Sequence, residues 1–236
     1  MTLESVTKQG TGRARIALDA MGGDHAPEAI VEGALLAAQD LPVEILLVGD
    51  EARLAELLER APSVPPNIEI QHASDVIAMG AHPVEAVKRQ KDSSIVVAAR
   101  LIKEGRADAL VSAGSTGAQM AASLLAWGRI KGVERPAIGT ILPGMRGPVL
   151  LLDAGAQVDC RPSHLVQFGV MGSTYMERVL GIPRPRVGLL NIGEEETKGN
   201  DLALEAYARL KETPGINFIG NVEGRDIMAG RADVVV

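Results

Sequence analysis

Aromatic residues are scarce in this sequence: phenylalanine, tryptophan and tyrosine together make up 2% of its 236 residues. Proteins that bind single-stranded nucleic acid stack the bases on aromatic side chains, so this scarcity argues against such a platform. Basic residues are not in excess either, because the formal net charge is -6. The sequence therefore has no overall attraction for nucleic acid or for an anionic membrane surface.

Cysteine is almost absent, since Cys160 is the only one in the sequence. A single cysteine excludes an internal disulfide and a metal cage built from thiolates, and it is typical of a reducing cytosol. No apolar run approaches the roughly 18 residues of a membrane span. Residues 1–13 are polar and lack the apolar core of a signal peptide, so we predict a disordered leader on a cytoplasmic protein. We expect neither a metal nor a cofactor.

Hydrophobic residues are plentiful, at 46% of the sequence, and short β-rich runs alternate with helical periods. Residues 14–20 and 107–114 are examples of predicted buried strands that lead into helices. Such alternation predicts an α/β fold, with a mostly parallel sheet and helices on both faces. Residues 137–143 and 148–155 instead flank a glycine-containing turn and predict a hairpin. We treat residues 14–236 as a single α/β catalytic domain.

Polar, glycine-rich loops follow several of the predicted strands. The loops after parallel strands gather at one edge of a sheet, so these loops can converge on one crevice. They are residues 20–27, 112–118, 153–164 and 191–200.

The loop SAGSTGA (112–118) has the composition of an anion-binding turn. Gly114 and Gly117 let the backbone approach a ligand closely, and the helix that follows presents free N–H groups. Ser115 and Thr116 add hydroxyl donors. The same residues are equally expected if Ser115 only caps the helix. The loop is neither a Walker loop nor a GxGxxG motif, so it specifies no nucleotide.

The loop AMGGDHAP (20–27) is a second candidate of this kind. Gly22 and Gly23 give the backbone conformational freedom, and Asp24 is predicted to cap the following helix. His25 can act as an acid or a base, although a loop histidine more often makes ordinary surface hydrogen bonds.

The loop NIGEEETKGN (191–200) carries three consecutive acids and Lys198. A lysine at the ligand-binding edge of a sheet can balance the charge of an anion, and the neighbouring acids can order it. A solvated charge run before a helix capped by Asn200 accounts for the same residues.

Two further patterns have simpler explanations. Cys160 and His164 are four residues apart, but Pro162 and Ser163 start a helix between them, so a productive nucleophile–base pair is not expected. The basic run KRQKDSS (88–94) is predicted to be solvated helix surface unless the function supplies an acidic partner.

Seven longer motifs occur together, between Arg15 and Val236, in an order known from one family. They are DAMGGDHAP (19–27), KRQKDSS (88–94), SAGSTGA (112–118), ERPAIGTILP (134–143), LLDAGAQVDCRPSHLVQFGVMG (151–172), LLNIGEEETKGN (189–200) and NFIGNVEGRDI (217–227). With them the sequence resembles the PlsX family, the phosphate acyltransferases of bacterial phospholipid synthesis. The family often has asparagine at the position of Ser115.

The resemblance implies that inorganic phosphate attacks the thioester of a fatty acyl chain on acyl carrier protein, which yields acyl phosphate and free carrier protein. It implies a homodimer with the fold of the isocitrate/isopropylmalate dehydrogenase and phosphotransacetylase group. A membrane-bound glycerol-3-phosphate acyltransferase is a further expected partner, with peripheral membrane association, and no nucleic acid is expected.

Phosphate itself is the nucleophile in such a reaction, so the site must hold a dianion and stabilise an oxyanion. We expect the catalytic groups to be Lys198, Asp24 and His25. The expected phosphate- or acyl-binding residues are Gly22, Gly23, Ser112, Gly114, Ser115, Thr116, Gly117 and Asn191. The acidic carrier is expected to dock on a basic surface of Lys88, Arg89, Lys91, Arg100 and Lys103.

Two alternatives stay open at this point: a phosphotransacetylase-like enzyme that uses acyl-CoA, and a non-catalytic scaffold that binds carrier protein. The resembled family continues its ADVVV strand into a D-G-F-x-G-N loop, whose asparagine is an expected member of the active site. This sequence stops at Val236. We therefore expect it to lack the family's C-terminal segment.

Overall fold

A computed structural model of the chain describes residues 12–156 and 158–236. The chain forms two compact units, Met1–Gly128 and Arg129–Val236, which we call unit 1 and unit 2. Residues 1–11 of the predicted leader lie outside the described residues. The description of residues 14–236 as one catalytic domain stays a prediction.

Strands and helices alternate along the described part of unit 1. They are β1 (Ala14–Asp19), α1 (Glu28–Asp40), β2 (Val43–Gly49), α2 (Glu51–Glu59), β3 (Ile68–His72), α3 (Pro83–Arg89), α4 (Ser94–Lys103), β4 (Ala109–Ser112) and α5 (Thr116–Trp127). The strands form a parallel sheet in the order β3-β2-β1-β4.

The core of unit 1 lies on both faces of this sheet. From Ile45 to Val48, strand β2 is a continuous apolar run, because successive side chains point to opposite faces and both faces are covered. Leu46 and Val48 pack with Val97 of α4 on one face, and Leu47 packs with Val31 of α1 on the other. The predicted parallel sheet with helices on both faces is confirmed in this unit.

Unit 2 has a second sheet, and its described elements follow a similar alternation. They are β5 (Gly139–Gly144), β6 (Gly147–Leu152), α6 (Pro162–Arg178), β7 (Arg186–Leu190), α7 (Asp201–Glu212), β8 (Asn217–Val222), α8 (Gly224–Ala229) and β9 (Val234–Val235). The strand order is β5-β6-β9-β7-β8. The pairing of β5 with β6 is antiparallel, which confirms the predicted hairpin, and the other pairings are parallel.

In each unit, an arginine–aspartate pair links two neighbouring strands. In unit 1, Arg15 of β1 donates from Nε and Nη2 to the two carboxylate oxygens of Asp108, at 3.2 and 3.0 Å. In unit 2, Arg186 of β7 does the same to Asp233, at 3.0 and 2.7 Å. Each aspartate directly precedes the neighbouring strand, and the arginine N–H also donates to it. We call these pairs the Arg–Asp clamps.

Helices α3 and α8 were not predicted, because seven and six residues are too few to show a helical period. Helix α8 is stabilised locally by a capping box of Glu223 and Asp226. None of the described helices has the length and apolar character needed to cross a membrane.

Candidate functional site

The loops 20–27 and 112–118 of unit 1 lie side by side, because the strands that precede them are neighbours in the sheet. The register pairs Asp19, at the end of β1, with Ser112, at the end of β4. A Cβ on Gly114 would stand 3.1 Å from the Cα of Gly22, so the two backbones are in contact. The structure thus brings together two of the four loops that were expected to converge.

Asp19 lies between these loops and is 2% exposed. Its Oδ2 accepts a hydrogen bond from Ser112 Oγ at 2.7 Å, and its Oδ1 accepts one from the N–H of Met21 at 3.3 Å. Within residues 12–156 and 158–236, no basic side chain lies within ion-pair distance of it. Burying a carboxylate without a cation is costly, so Asp19 is a candidate functional group. Sequence reasoning passed over it as the end of a strand.

The Asp19–Ser112 pair explains two of the glycines. A Cβ at Gly22 would come within 2.4 Å of Asp19 Oδ2, so no larger residue fits there. Ser112 Oγ also accepts the N–H of Gly114, at 3.0 Å. The Ser112 hydroxyl therefore ties its loop to the end of β1 through Asp19, and the Gly114 N–H stabilises the same loop internally. To bind a ligand, the Ser112 hydroxyl or the Gly114 N–H would have to give up one of these hydrogen bonds.

Helix α5 begins at the SAGSTGA turn, and Ser115 is its N-cap. Ser115 Oγ accepts the N–H of Ala118 at 3.3 Å, which confirms the predicted cap. The N–H groups of Thr116 and Gly117 belong to the first helical turn, where N–H groups have no carbonyl acceptor within the helix. Together with the Ser115 and Thr116 hydroxyls, they are the donors that this turn can offer to an anion.

A small cleft opens beside this helix terminus, with a volume of about 230 Å³ that includes open solvent. Its lining combines polar and apolar residues: Asp19, Gly22, Val76, Ile77, Ser94, Ile95, Gly114, Ser115 and Ala118.

Asp24 and His25 both lie on the exposed side of the 20–27 loop. The prediction that Asp24 caps α1 is wrong, because the helix begins at Glu28, and its N-cap position is occupied by Pro27 without a side-chain cap. A turn separates Asp24 from the helix. The carbonyl of His25 accepts the N–H of Ala29 at 3.1 Å, so the backbone at His25 supports the helix start.

The 191–200 loop of unit 2 is held by asparagine side chains. Asn191 donates from Nδ2 to the carbonyl oxygen of Lys198 at 3.0 Å, and Asn221 of β8 donates to the carbonyl oxygen of Glu195 at 2.8 Å. Asn200 accepts the N–H of Ala203 at 3.0 Å and caps α7 as predicted. Asn191 therefore shapes the loop that presents Lys198.

Two of the three acids of this loop, Glu194 and Glu196, bind other cations rather than Lys198. Glu194 pairs with Arg231, and Glu196 pairs with Lys211 at 3.0 Å. The hydrogen bond from Lys211 lowers the pKa of Glu196. Among the described residues, no carboxylate lies within ion-pair distance of the exposed Lys198. The expectation that neighbouring acids order this lysine directly is therefore wrong; they hold the loop to other elements.

Cys160 and His164 have different surroundings. Burial raises the pKa of the Cys160 thiol, and the nearby Asp153 carboxylate raises it further. His164 is 4% exposed; its Nδ1 accepts the N–H of Arg161 at 3.1 Å, and its Nε2 lies 3.3 Å from a carboxylate oxygen of Glu134. This arrangement agrees with the expectation that the two do not form a nucleophile–base pair. The described residues contain no group of three or more metal-ligating side chains.

The basic residues that were expected to form the docking surface fall into two groups. Lys88 and Arg89 end α3, Lys91 follows, and all three are exposed, with no ion pair inside the described part of the chain. We call these three residues the basic surface. Arg100 instead lies 3.9 Å from Asp92 and 3.8 Å from Glu104, and the exposed Lys103 is in the last turn of α4. The charge of Arg100 is therefore partly compensated.

Comparison with known proteins gives a consistent result over nearly the whole chain. The model of the family described as "Fatty acid synthesis protein" matches residues 14–236. The chain is 61% identical over 222 residues to a phosphate acyltransferase of Desulforamulus reducens, and 60% identical over 223 residues to one of Desulfitobacterium hafniense. Each alignment covers 94% of this chain and 66% of the relative, so the chain spans just under two thirds of their length.

Among solved structures, the chain is similar to the EutD phosphotransacetylase of Staphylococcus aureus, with a TM-score of 0.65 and 19% identity. The alignment covers 95% of this chain and 77% of that protein. At this level of identity the similarity concerns the fold, and it confirms the predicted α/β class.

Proposed function

Because the chain belongs to the fatty acid synthesis protein family, we propose that the protein transfers a fatty acyl group from acyl carrier protein to inorganic phosphate. The observation that carries this proposal is the high identity, along nearly all of the chain, to relatives named phosphate acyltransferase. Since those relatives are longer, the activity is proposed for the whole protein and not for this part alone.

The reaction balances without an enzyme nucleophile or a cofactor. A phosphate oxygen of HPO₄²⁻ attacks the thioester carbonyl carbon, and a tetrahedral oxyanion forms. The carbon–sulfur bond then breaks, and the single proton of the phosphate is transferred to the leaving thiolate. The products are acyl phosphate and a free thiol. The protein must therefore bind the dianion, stabilise the oxyanion and let one proton move.

The first turn of α5 is our candidate for binding phosphate. Its free N–H groups at Thr116 and Gly117 and the hydroxyls of Ser115 and Thr116 are suitable donors, and the helix dipole favours an anion there. Asp24 and His25, on the neighbouring loop, remain candidates to orient the phosphate or carry its proton.

Lys198 is our candidate for stabilising the oxyanion. Its ammonium group carries a full positive charge on a flexible stem, and the described residues offer it no carboxylate partner that would neutralise it. A preorganised donor of this kind typically contributes about 10²–10³ in rate.

The basic surface is our candidate for docking the acidic carrier protein. Its three exposed cations have no ion pair with any described residue, and they attract an acidic partner mainly by raising the rate of association. As parts of the same proposal we include a cytoplasmic location with peripheral membrane contact, a homodimer, and a membrane-bound glycerol-3-phosphate acyltransferase that consumes the acyl phosphate.

The test uses the full-length protein with purified acyl carrier thioester, and it measures thiol release with and without inorganic phosphate. We expect release that depends on phosphate, with a matching amount of acyl phosphate. Faster turnover with acyl-CoA than with acyl carrier protein would favour the phosphotransacetylase-like alternative. Carrier binding without any phosphate-dependent turnover would contradict the proposal and favour the scaffold.

A further inference from the structure

Asn221 places a buried polar amide near the end of β8. The residue is 2% exposed, and its strand neighbours Ile219 and Val222 belong to an apolar cluster of unit 2. Its Nδ2 donates to the carbonyl oxygen of Glu195 at 2.8 Å. Its Oδ1 is buried without a hydrogen-bond partner, alone in this among buried side-chain nitrogen and oxygen atoms of residues 12–156 and 158–236.

A buried acceptor without a donor lowers the free energy of unfolding. An apolar side chain of similar size, such as leucine, would avoid that cost and could pack with the same neighbours. The amide at position 221 is therefore a poor choice for packing alone. Its role must lie in the one hydrogen bond that it makes, to the loop after β7.

That hydrogen bond reaches the part of the loop that carries Lys198. The carbonyl oxygen of Glu195 accepts two hydrogen bonds, one from Asn221 and one from the N–H of Lys198 at 3.1 Å. The carbonyl oxygen of Lys198 accepts from Asn191 at 3.0 Å. Both backbone polar groups of Lys198 are thus held, and the N–H is tied to the sheet through Glu195 and Asn221.

We propose that Asn221 is a positioning residue for Lys198. By holding the Glu195 carbonyl, it fixes the 195–198 turn and so the point from which the lysine side chain extends. A lysine has a flexible stem, so the placement of its ammonium depends on a fixed backbone. This inference rests on the proposed acyl transfer, in which Lys198 stabilises the oxyanion. A displacement of about 1 Å at such a group can lower the rate about 10²-fold.

The experiment compares Asn221→Leu, which removes the donor, with Asn221→Ser, which keeps a hydroxyl donor on a shorter side chain. Asn217→Leu is the matched control: Asn217 lies on the same strand, and its Nδ2 donates to the carbonyl oxygen of Arg184, outside the 191–200 loop. Each full-length variant is examined by thermal unfolding, by hydrogen–deuterium exchange of the segment 193–199, and by steady-state kinetics.

We expect Asn221→Leu to speed exchange in segment 193–199 at least about tenfold and to lower kcat about 10- to 100-fold, with KM for the acyl donor changed less than about threefold. Asn221→Ser should recover part of both effects, and Asn217→Leu should show neither. Wild-type exchange and wild-type kcat in a folded Asn221→Leu protein would overturn the inference. Should that variant not fold, Asn221→Ser with wild-type values for both readouts together with an unchanged melting temperature would overturn it. Absence of turnover in the wild type would instead contradict the proposed function, and the exchange data would still test the anchoring.

Discussion

Lys198 is exposed, and among the described residues it has no carboxylate partner, although three glutamates precede it in the same loop. If its ammonium stabilises the oxyanion, Lys198→Ala should lower kcat of the full-length protein about 10²–10³-fold, with little change in the melting temperature. Steady-state kinetics and thermal unfolding of the same preparation measure the two quantities.

Lys131 provides the matched control for this substitution. It is an exposed lysine of the same unit and lies outside the 191–200 loop. Lys131→Ala should change the free energy of unfolding by less than about 0.5 kcal/mol, with kcat near the wild-type value. A folded Lys198→Ala protein with wild-type kcat would remove Lys198 from the mechanism.

Single residues also show where the sequence was informative. The caps at Ser115 and Asn200 were predictable because each is a short polar residue just before a helical period. Asp19 was not, because its meaning depends on Ser112, which is distant in sequence and becomes its neighbour only through the pairing of β1 with β4. The partners of Glu194 and Glu196 were likewise hidden, since they come from other elements.

At the start of helix α5, substitutions can distinguish the helix-capping role of Ser115 from a role in anion binding. Aspartate caps a helix as well as serine does, so Ser115→Asp should keep the melting temperature measured without phosphate. Its carboxylate should repel an anion at the first turn. We therefore expect phosphate to raise the melting temperature of the wild type in a concentration-dependent way and to have little effect on Ser115→Asp.

Ser115→Ala completes this comparison, because it removes the cap and adds no charge. It should lower the free energy of unfolding by about 0.5–2 kcal/mol and keep part of the response to phosphate. An equal phosphate response in Ser115→Asp and in the wild type would place the anion away from α5.

The Arg–Asp clamp of unit 2 predicts a dependence of stability on pH. Burial alone would raise the pKa of Asp233, but hydrogen bonds from the side chain and backbone of Arg186 lower it below its ordinary value of 3.8. A carboxylate whose pKa is lowered in the folded state stabilises the protein at pH values above its pKa in the unfolded state. That stability is lost as the pH falls below about 4 towards the folded value.

Asp233→Asn should therefore lower the free energy of unfolding by about 1–3 kcal/mol at pH 7, and by progressively less as the pH falls below about 4. Chemical denaturation of both proteins across this range measures the difference. A difference that does not change with pH would mean that the charge of Asp233 contributes nothing to the clamp.

The elements themselves were largely predictable from the period of the apolar residues. Strand β2 and helix α4 are long enough to show their spacing, whereas α3 and α8 are too short to do so. Strand order was not predictable, because it depends on packing between distant segments. The tripeptide RAD precedes both β4 and β9, yet its role in the two clamps became apparent only from the positions of Arg15 and Arg186.

The whole molecule carries a net charge of -6, so the basic surface stands out against an acidic background. Reversing its charges with Lys88→Glu, Arg89→Glu and Lys91→Glu together should raise KM for the acyl carrier thioester at low salt and leave kcat nearly unchanged. The effect should shrink as salt is added, because exposed charges are screened.

Arg60→Glu is the control for this triple variant, since Arg60 is an exposed arginine at the C-terminal cap of α2, outside the basic surface. The triple variant changes the net charge three times as much as Arg60→Glu does. The control is therefore compared with each of the three single reversals as well. Equal KM values for Arg60→Glu and for Lys88→Glu, Arg89→Glu and Lys91→Glu at low salt would show that the basic surface has no specific part in docking.

The place of β9 in its sheet has a consequence for synthesis of the protein. Unit 1 has all four of its strands once residue 112 has left the ribosome. In unit 2, β9 lies between β6 and β7, although the other four described strands of that sheet are made before it. Until it arrives, β6 and β7 each have one unpaired edge, the kind of surface that other chains can join. The free edge of β6 therefore persists from the synthesis of residue 152 until β9 begins at residue 234, and this is the stage at which a chaperone would matter most.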